Sequence, residues 1–107
     1  MEGDVVIEIN FNMAEEKAIV KTNAKKEALP EILGAWIESR KEQKDDTSEP
    51  DRKGSFVIII KLNLETDTFT TESDTRNKSL TYGIVLFDVF NKLDEVEILP
   101  LIDKNRR

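Results

Sequence analysis

The chain's first chemical offer is a set of oxygen ligands: Asp45, Asp46, Glu49 and Asp51 lie within one short stretch. Carboxylates grouped in this way suit a hard cation such as calcium or magnesium. The stretch lacks the central glycine and terminal glutamate of an EF-hand loop, and lysines and arginines flank it. A solvated run of mixed charge is the simpler reading, so no metal site and no cofactor is assigned. Asp88 is a second candidate, set between Phe87 and Val89 in an otherwise apolar segment. A carboxyl buried there would suit general acid–base work. The ordinary alternative is a helix-boundary position or a pairing with lysine. A glycosidase-like carboxylate pair carries no weight, because among 22 acidic residues some two are always close.

Other chemistries are excluded more firmly. The chain has no cysteine and no histidine. That removes disulfides, thiolate nucleophiles, thiolate metal sites and the commonest general base. No glycine-rich phosphate loop, Walker pattern or nucleophile elbow occurs. "NKS" at 77–79 matches a glycosylation acceptor, but no signal peptide accompanies it. No catalytic residue is assigned, and the protein is read as non-enzymatic.

A chain of 107 residues makes one domain. Its 22 acidic and 16 basic residues give a net charge of −6, with both signs interspersed along the chain. A nucleic-acid binder would show a basic stripe, so nucleic acid is not an expected partner. No apolar run approaches the roughly 20 residues of a membrane span, and acidic residues stand where a signal peptide is positive. The expectation is a cytoplasmic protein with no membrane association.

The elements follow from periodicity. Val5, Ile7, Ile9 and Phe11 alternate with Val6, Glu8, Asn10 and Asn12, which marks a strand with one buried face. "NMAEEK" turns, and Lys17 to Thr22 returns. Leu29, Ile32, Leu33, Trp36 and Ile37 then form one stripe of an amphipathic helix. Pro30 belongs in the first turn, which puts the helix from about Ala28 to about Lys44.

The pattern recurs 51 positions later. Ile58, Ile60, Leu62 and Leu64 alternate with Val57, Ile59, Lys61 and Asn63, and "LETDTF" turns with Asp67 in the left-handed region. "TFTTES" returns. Leu80, Ile84, Phe87 and Asn91 then fall on the positions of Leu29, Leu33, Trp36 and Arg40. Identities at this offset include Val6/Val57, Ile7/Ile58, Ile9/Ile60, Asn12/Asn63 and Leu29/Leu80.

One ββα unit cannot bury its apolar face, because a lone hairpin is marginal in water. Two units side by side can. The expected fold is α+β: two ββα units forming a four-stranded antiparallel sheet, order 2-1-3-4, with two helices packed on one face. The polar returning strands would take the edges. The repeats are residues 4–44 and 55–93, joined by a charged linker 45–54. Residues 94–107 make a C-terminal arm, too apolar at Val96, Ile98, Leu99, Leu101 and Ile102 for a free tail.

The two helices differ. The first has a polar side with Glu31, Gly34, Glu38 and Lys41, whereas "SLTYGIVLFDVFNKL" is apolar nearly all round. Such a helix is normally covered on both sides. Beyond its core stripe it offers Tyr82, Val85, Leu86, Val89 and Phe90 as a candidate interaction surface. Either the arm folds over them or another surface does. Val6, Val57 and Ile59, outward on the sheet, form a smaller second patch. The expected function is a non-enzymatic protein-binding or self-associating domain, with a homodimer or another protein as partner. The alternative is a small accessory or inhibitor protein acting through its acidic surface, or binding a small ligand between subunits.

Overall fold

The computed structural model describes residues 4–40, 54–74 and 78–101. The chain lays down β1 (Asp4–Asn12) and β2 (Lys17–Thr22), then enters α1 (Leu29–Arg40) through a 3₁₀ turn at Lys26–Ala28. It continues with β3 (Ser55–Asn63), β4 (Thr68–Ser73) and α2 (Lys78–Gly83). Helix α2 runs on as a π-helical stretch, Ile84–Val89, and closes in a 3₁₀ turn, Phe90–Lys92, before β5 (Glu97–Pro100). The expected end of α1 near Lys44 and most of the charged linker lie outside the described residues, as do Asp45, Asp46, Glu49, Asp51 and Asn77.

The four-stranded antiparallel sheet is overturned. The sheet has five strands in the order β4-β3-β1-β2-β5 and is mixed, because β5 runs parallel to β2. The class remains α+β. The expectation that both returning strands are edges fails with it, since β2 is interior. The reason lies in the apolar residues of the arm. Ile98 sits beside Val20 on the inner side, and the Leu101 N–H donates to the Thr22 carbonyl at 2.9 Å. Adding a strand satisfies the backbone of β2 and shelters Val96 and Ile98 in one step. The arm therefore extends the sheet.

Alternation places Ile7, Ile9, Phe11, Ala18, Val20, Phe56, Ile58 and Ile60 on the helix-facing side, where all are buried. They form one cluster with Leu29, Leu33, Trp36 and Ile37 of α1 and with Ile84, Val85 and Val89 beyond α2. Burying each large aliphatic contributes roughly 1.5–3 kcal/mol. The opposite side of the sheet carries Val6, Glu8, Asn10, Val57, Ile59 and Lys61, and no described helix lies on it.

The two hairpins share their local devices at the offset of 51. Asn12 Oδ1 accepts from the Glu15 N–H at 3.0 Å, and Asn63 Oδ1 accepts from the Glu65 and Thr66 N–H groups at 2.9 and 3.1 Å. Each turn ends in a left-handed residue, Glu16 at φ 53° and Asp67 at φ 59°. At the far ends Asn23 Oδ1 accepts from the Val6 N–H at 2.9 Å, and Asp74 Oδ1 from the Val57 N–H at 3.0 Å.

The helices break the correspondence. Trp36 is 1% exposed, but its counterpart Phe87 is 59% exposed. A π-helix carries more residues per turn than an α-helix, so inward positions recur four to five apart rather than three to four. Leu80, Val85 and Val89 follow that wider step, and Phe87 rotates to the outside. The Phe90 N–H points to both the Leu86 and Val85 carbonyls, the signature of the widened turn.

Helix α2 also has further to travel. Its start is tied to β4 by the Ser73 and Thr81 hydroxyls at 3.3 Å, and its far end delivers the chain to the opposite edge beside β2. Five strands span about 19 Å at 4.8 Å spacing, and the helical run from Lys78 to Lys92 is about 22 Å long. A helix that crosses every strand needs apolar residues on more of its circumference.

Candidate interaction surfaces

Helix α2 and its π-helical continuation divide the five residues expected on the first surface. Val85 and Val89 are core, each 0% exposed, and no partner touches them in this fold. Tyr82, Leu86 and Phe90 are half-buried and pack against the core cluster. Tyr82 stacks on Trp36 with ring centroids 6.3 Å apart and planes at 27°. Phe90 lies over Gly34 of α1, where an added Cβ would stand 3.7 Å from the ring. The residue that reaches furthest into solvent is Phe87, placed in the core by a 3.6-residue period. The π-helical stretch is what moves it, and no single residue type announces that stretch.

Phe87 has apolar neighbours on its own helix, and α1, which lies under Phe90, carries exposed acids. A Cβ added at Gly83, one turn earlier, would stand 4.0 Å from the Phe87 ring. Asp88 forms an i,i+4 pair with Lys92 at 3.8 Å, so the π-helical stretch carries little net charge of its own. On α1, Glu31 and Glu38 lie one turn on either side of Gly34, the residue under Phe90, and both are exposed.

Val6, Val57 and Ile59 are half-buried on the open side of the sheet. Register explains why they make no continuous patch. Val6 stands opposite Lys61, and Ile59 lies between Glu8 and Glu72. Val57 faces Asn10, and Ile19, 38% exposed, faces Glu97. Long charged side chains lie over apolar neighbours in such an arrangement, and the side stays wet.

A cleft of about 860 Å³ opens at the end of the sheet, with Phe11 and Phe56 beneath and Glu15, Lys17, Asp88 and Lys92 around it. The Asp88–Lys92 pair belongs to its wall. Among the described residues no three acids converge on a point that could hold a metal ion, and no helix is long and apolar enough to cross a membrane.

The sheet's two edges differ. β5 has four residues, carries Glu97 and ends in Pro100, which has no N–H to offer. β4 is longer and has no proline, lysine or bulge. The Asp74 N–H donates to the Val57 carbonyl at 3.2 Å, which sets the phase of the ladder. Thr68, Thr70 and Glu72 therefore bond to β3, while Phe69 and Thr71 turn their N–H and C=O groups outward. Among the described residues no strand lies beyond them.

The inner side of β4 is held firmly. Thr71 Oγ1 accepts from Trp36 Nε1 and from Arg40 Nη2, both at 2.8 Å, and the Arg40 guanidinium lies 5.6 Å from the Trp36 ring centroid. Sequence reading took this strand for a polar edge and assigned it nothing further.

Comparison with protein-family models, with curated proteins and with solved structures finds no match to this chain.

Proposed function

We propose that this protein is a non-catalytic binding module that docks a basic, apolar-centred surface of another protein against its helix layer, with Phe87 as the anchor. The observation that carries the reading is Phe87 itself, 59% exposed and flanked by the half-buried Leu86 and Phe90. Exposed aromatic residues with partly sheltered apolar neighbours are what the centres of interfaces use. Charge argues for the sign of the partner. Glu31 is exposed one turn from Gly34, the residue under Phe90, and the chain as a whole carries −6. A second copy would bring net negative charge against itself, whereas a basic surface meets it favourably.

Burying the exposed part of Phe87 removes roughly 120 Å² of apolar surface, about 3 kcal/mol at 25 cal/mol per Å². Phe87→Ala should therefore weaken docking by roughly a hundredfold. Immobilised wild-type protein, Phe87→Ala and Phe87→Asp would be exposed to extract from the source cells at several salt concentrations. The reading expects a basic protein retained by the wild type, lost with both variants and progressively released by salt. Retention that ignores Phe87, or retention of the chain's own second copy through this surface, defeats it.

A further inference from the structure

We propose that β4 is a dimer interface: two copies of the chain pair their β4 edges antiparallel, about a two-fold axis at Thr70, to make one continuous sheet. This is independent of docking through Phe87, which lies on the helix layer.

Three observations point to a second copy. The first is the contrast between edges. β5 is short and capped by Pro100, the usual means of blunting an edge, while β4 has no such device. The second is rigidity. The Trp36 and Arg40 hydrogen bonds to Thr71, and the packing of Phe69 on the core, hold the strand extended before any partner arrives. A preformed edge loses little conformational entropy on pairing.

The third is self-complementarity. Antiparallel pairing about Thr70 sets Phe69 opposite the second copy's Thr71, and both outward-turned backbones exchange hydrogen bonds, about four in all. On the open side Thr70 meets Thr70 and Thr68 meets Glu72, so no like charges face each other. Neighbouring registers fare worse. An axis at Glu72 opposes two carboxylates. An axis at Thr71 brings together the two Arg40 guanidinium groups, each 2.8 Å from its own Thr71. An axis at Thr70 avoids both.

A residue on a two-fold axis meets itself, and that makes the register testable. Thr70→Glu and Thr70→Lys should each dissociate the dimer by tenfold or more, although their charges are opposite. An equimolar mixture of the two should reassociate as a heterodimer, because glutamate then faces lysine. Thr70 is exposed and its neighbour across the ladder is Lys61, so Thr70→Glu also leaves the monomer's fold supported.

The experiment is sedimentation equilibrium over a dilution series of wild type, each variant and the mixture, with amide hydrogen exchange on the wild type. Expected are a wild-type dimer, slowed exchange at the Phe69 and Thr71 amides as concentration rises, monomeric single variants and a dimeric mixture. Phe87→Asp should dimerise as the wild type does. A wild type that is monomeric at every concentration overturns the proposal. So does a dimer whose Phe69 and Thr71 amides exchange freely, or a mixture that stays monomeric. If Phe87→Asp alone dissociates the dimer, the helix layer is the self-contact, and this pairing and the basic-partner reading both fail; if only the Thr70 variants dissociate it, this pairing stands whatever becomes of the basic-partner reading.

Discussion

The register of the chain beyond α2 can be tested by three truncations whose order of cost depends on it. With Val85 and Val89 each 0% exposed and Phe87 59% exposed, Val89→Ala and Val85→Ala should destabilise the fold and Phe87→Ala should not. Removing two buried methyl groups forfeits about 1.6 kcal/mol of transfer free energy, and the unrelaxed cavity adds roughly another 1 kcal/mol. Each valine substitution should therefore cost about 2–3 kcal/mol, or about 10–20 °C in Tm for a domain of this size. Phe87→Ala should stay within about 0.5 kcal/mol, since alanine is the better helix former and little packing is lost. The assay is urea denaturation followed by far-UV circular dichroism and by the fluorescence of Trp36, the chain's single tryptophan, which reports the core through its stack on Tyr82. Had the helix kept a 3.6-residue period, the order would reverse: Phe87→Ala would cost 3 kcal/mol or more, as for buried Phe→Ala, and Val89→Ala almost nothing. That reversed order would refute the π-helical register and, with it, Phe87 as an anchor.

Other outcomes follow from single contacts. Thr71→Val removes the shared acceptor of Trp36 Nε1 and Arg40 Nη2 and should cost about 1–3 kcal/mol, with an altered Trp36 emission maximum in the native state. Glu16→Gly relieves a left-handed glutamate at φ 53° and should stabilise the protein by about 0.5–1 kcal/mol in thermal denaturation. Asp67→Gly at φ 59° should gain less, because aspartate tolerates that region better than glutamate. Gly34→Ala should stabilise α1 by up to about 1 kcal/mol in the same assay, since the added Cβ meets Phe90 at an ordinary 3.7 Å.

The parts legible in the sequence are those decided within a few residues. The period of two in "VVIEINF" and "FVIII" gives the inward sides of β1 and β3 correctly, and the turns place Asp67 in its left-handed conformation. The stripe Leu29, Leu33, Trp36, Ile37 is buried as its spacing requires. What escapes reading is decided at a distance. "EILP" has too few residues to declare a strand, and it becomes one because the outer groups of β2 and the shelter beside Val20 are already in place. Val85 and Val89 look like surface beside a Phe87 core, because periodicity counts an α-helix and the extra residue per turn has no local signature. The edge position of β4 is legible in "TFTTES", whereas the blunting of the opposite edge by Pro100 follows only once "EILP" is known to be a strand.

These departures share one cause, the fifth strand. Had the chain stopped after a second unit equal to the first, β2 and β4 would both be open edges, and α2 would mirror α1. Placing β5 against β2 closes one edge and obliges the helical segment to cross from β4 to the far side of the sheet. A segment with that path runs from β4 toward β2, and the widened turn carries Val85 and Val89 into the core with Leu80 packed against it. The same rotation lifts Phe87 clear of the core. So the proline-free edge left open among the described residues and the large aromatic left in solvent are consequences of a single asymmetry. Deleting residues 97–107 should couple them: β2 would lose its partner and the core its Val20–Ile98 contact. The truncated protein should then associate through β2 as well as β4, rising past the dimer in a dilution series. A truncated chain that remained folded and dimeric would show that β5 neither shields β2 nor governs the path of the helix.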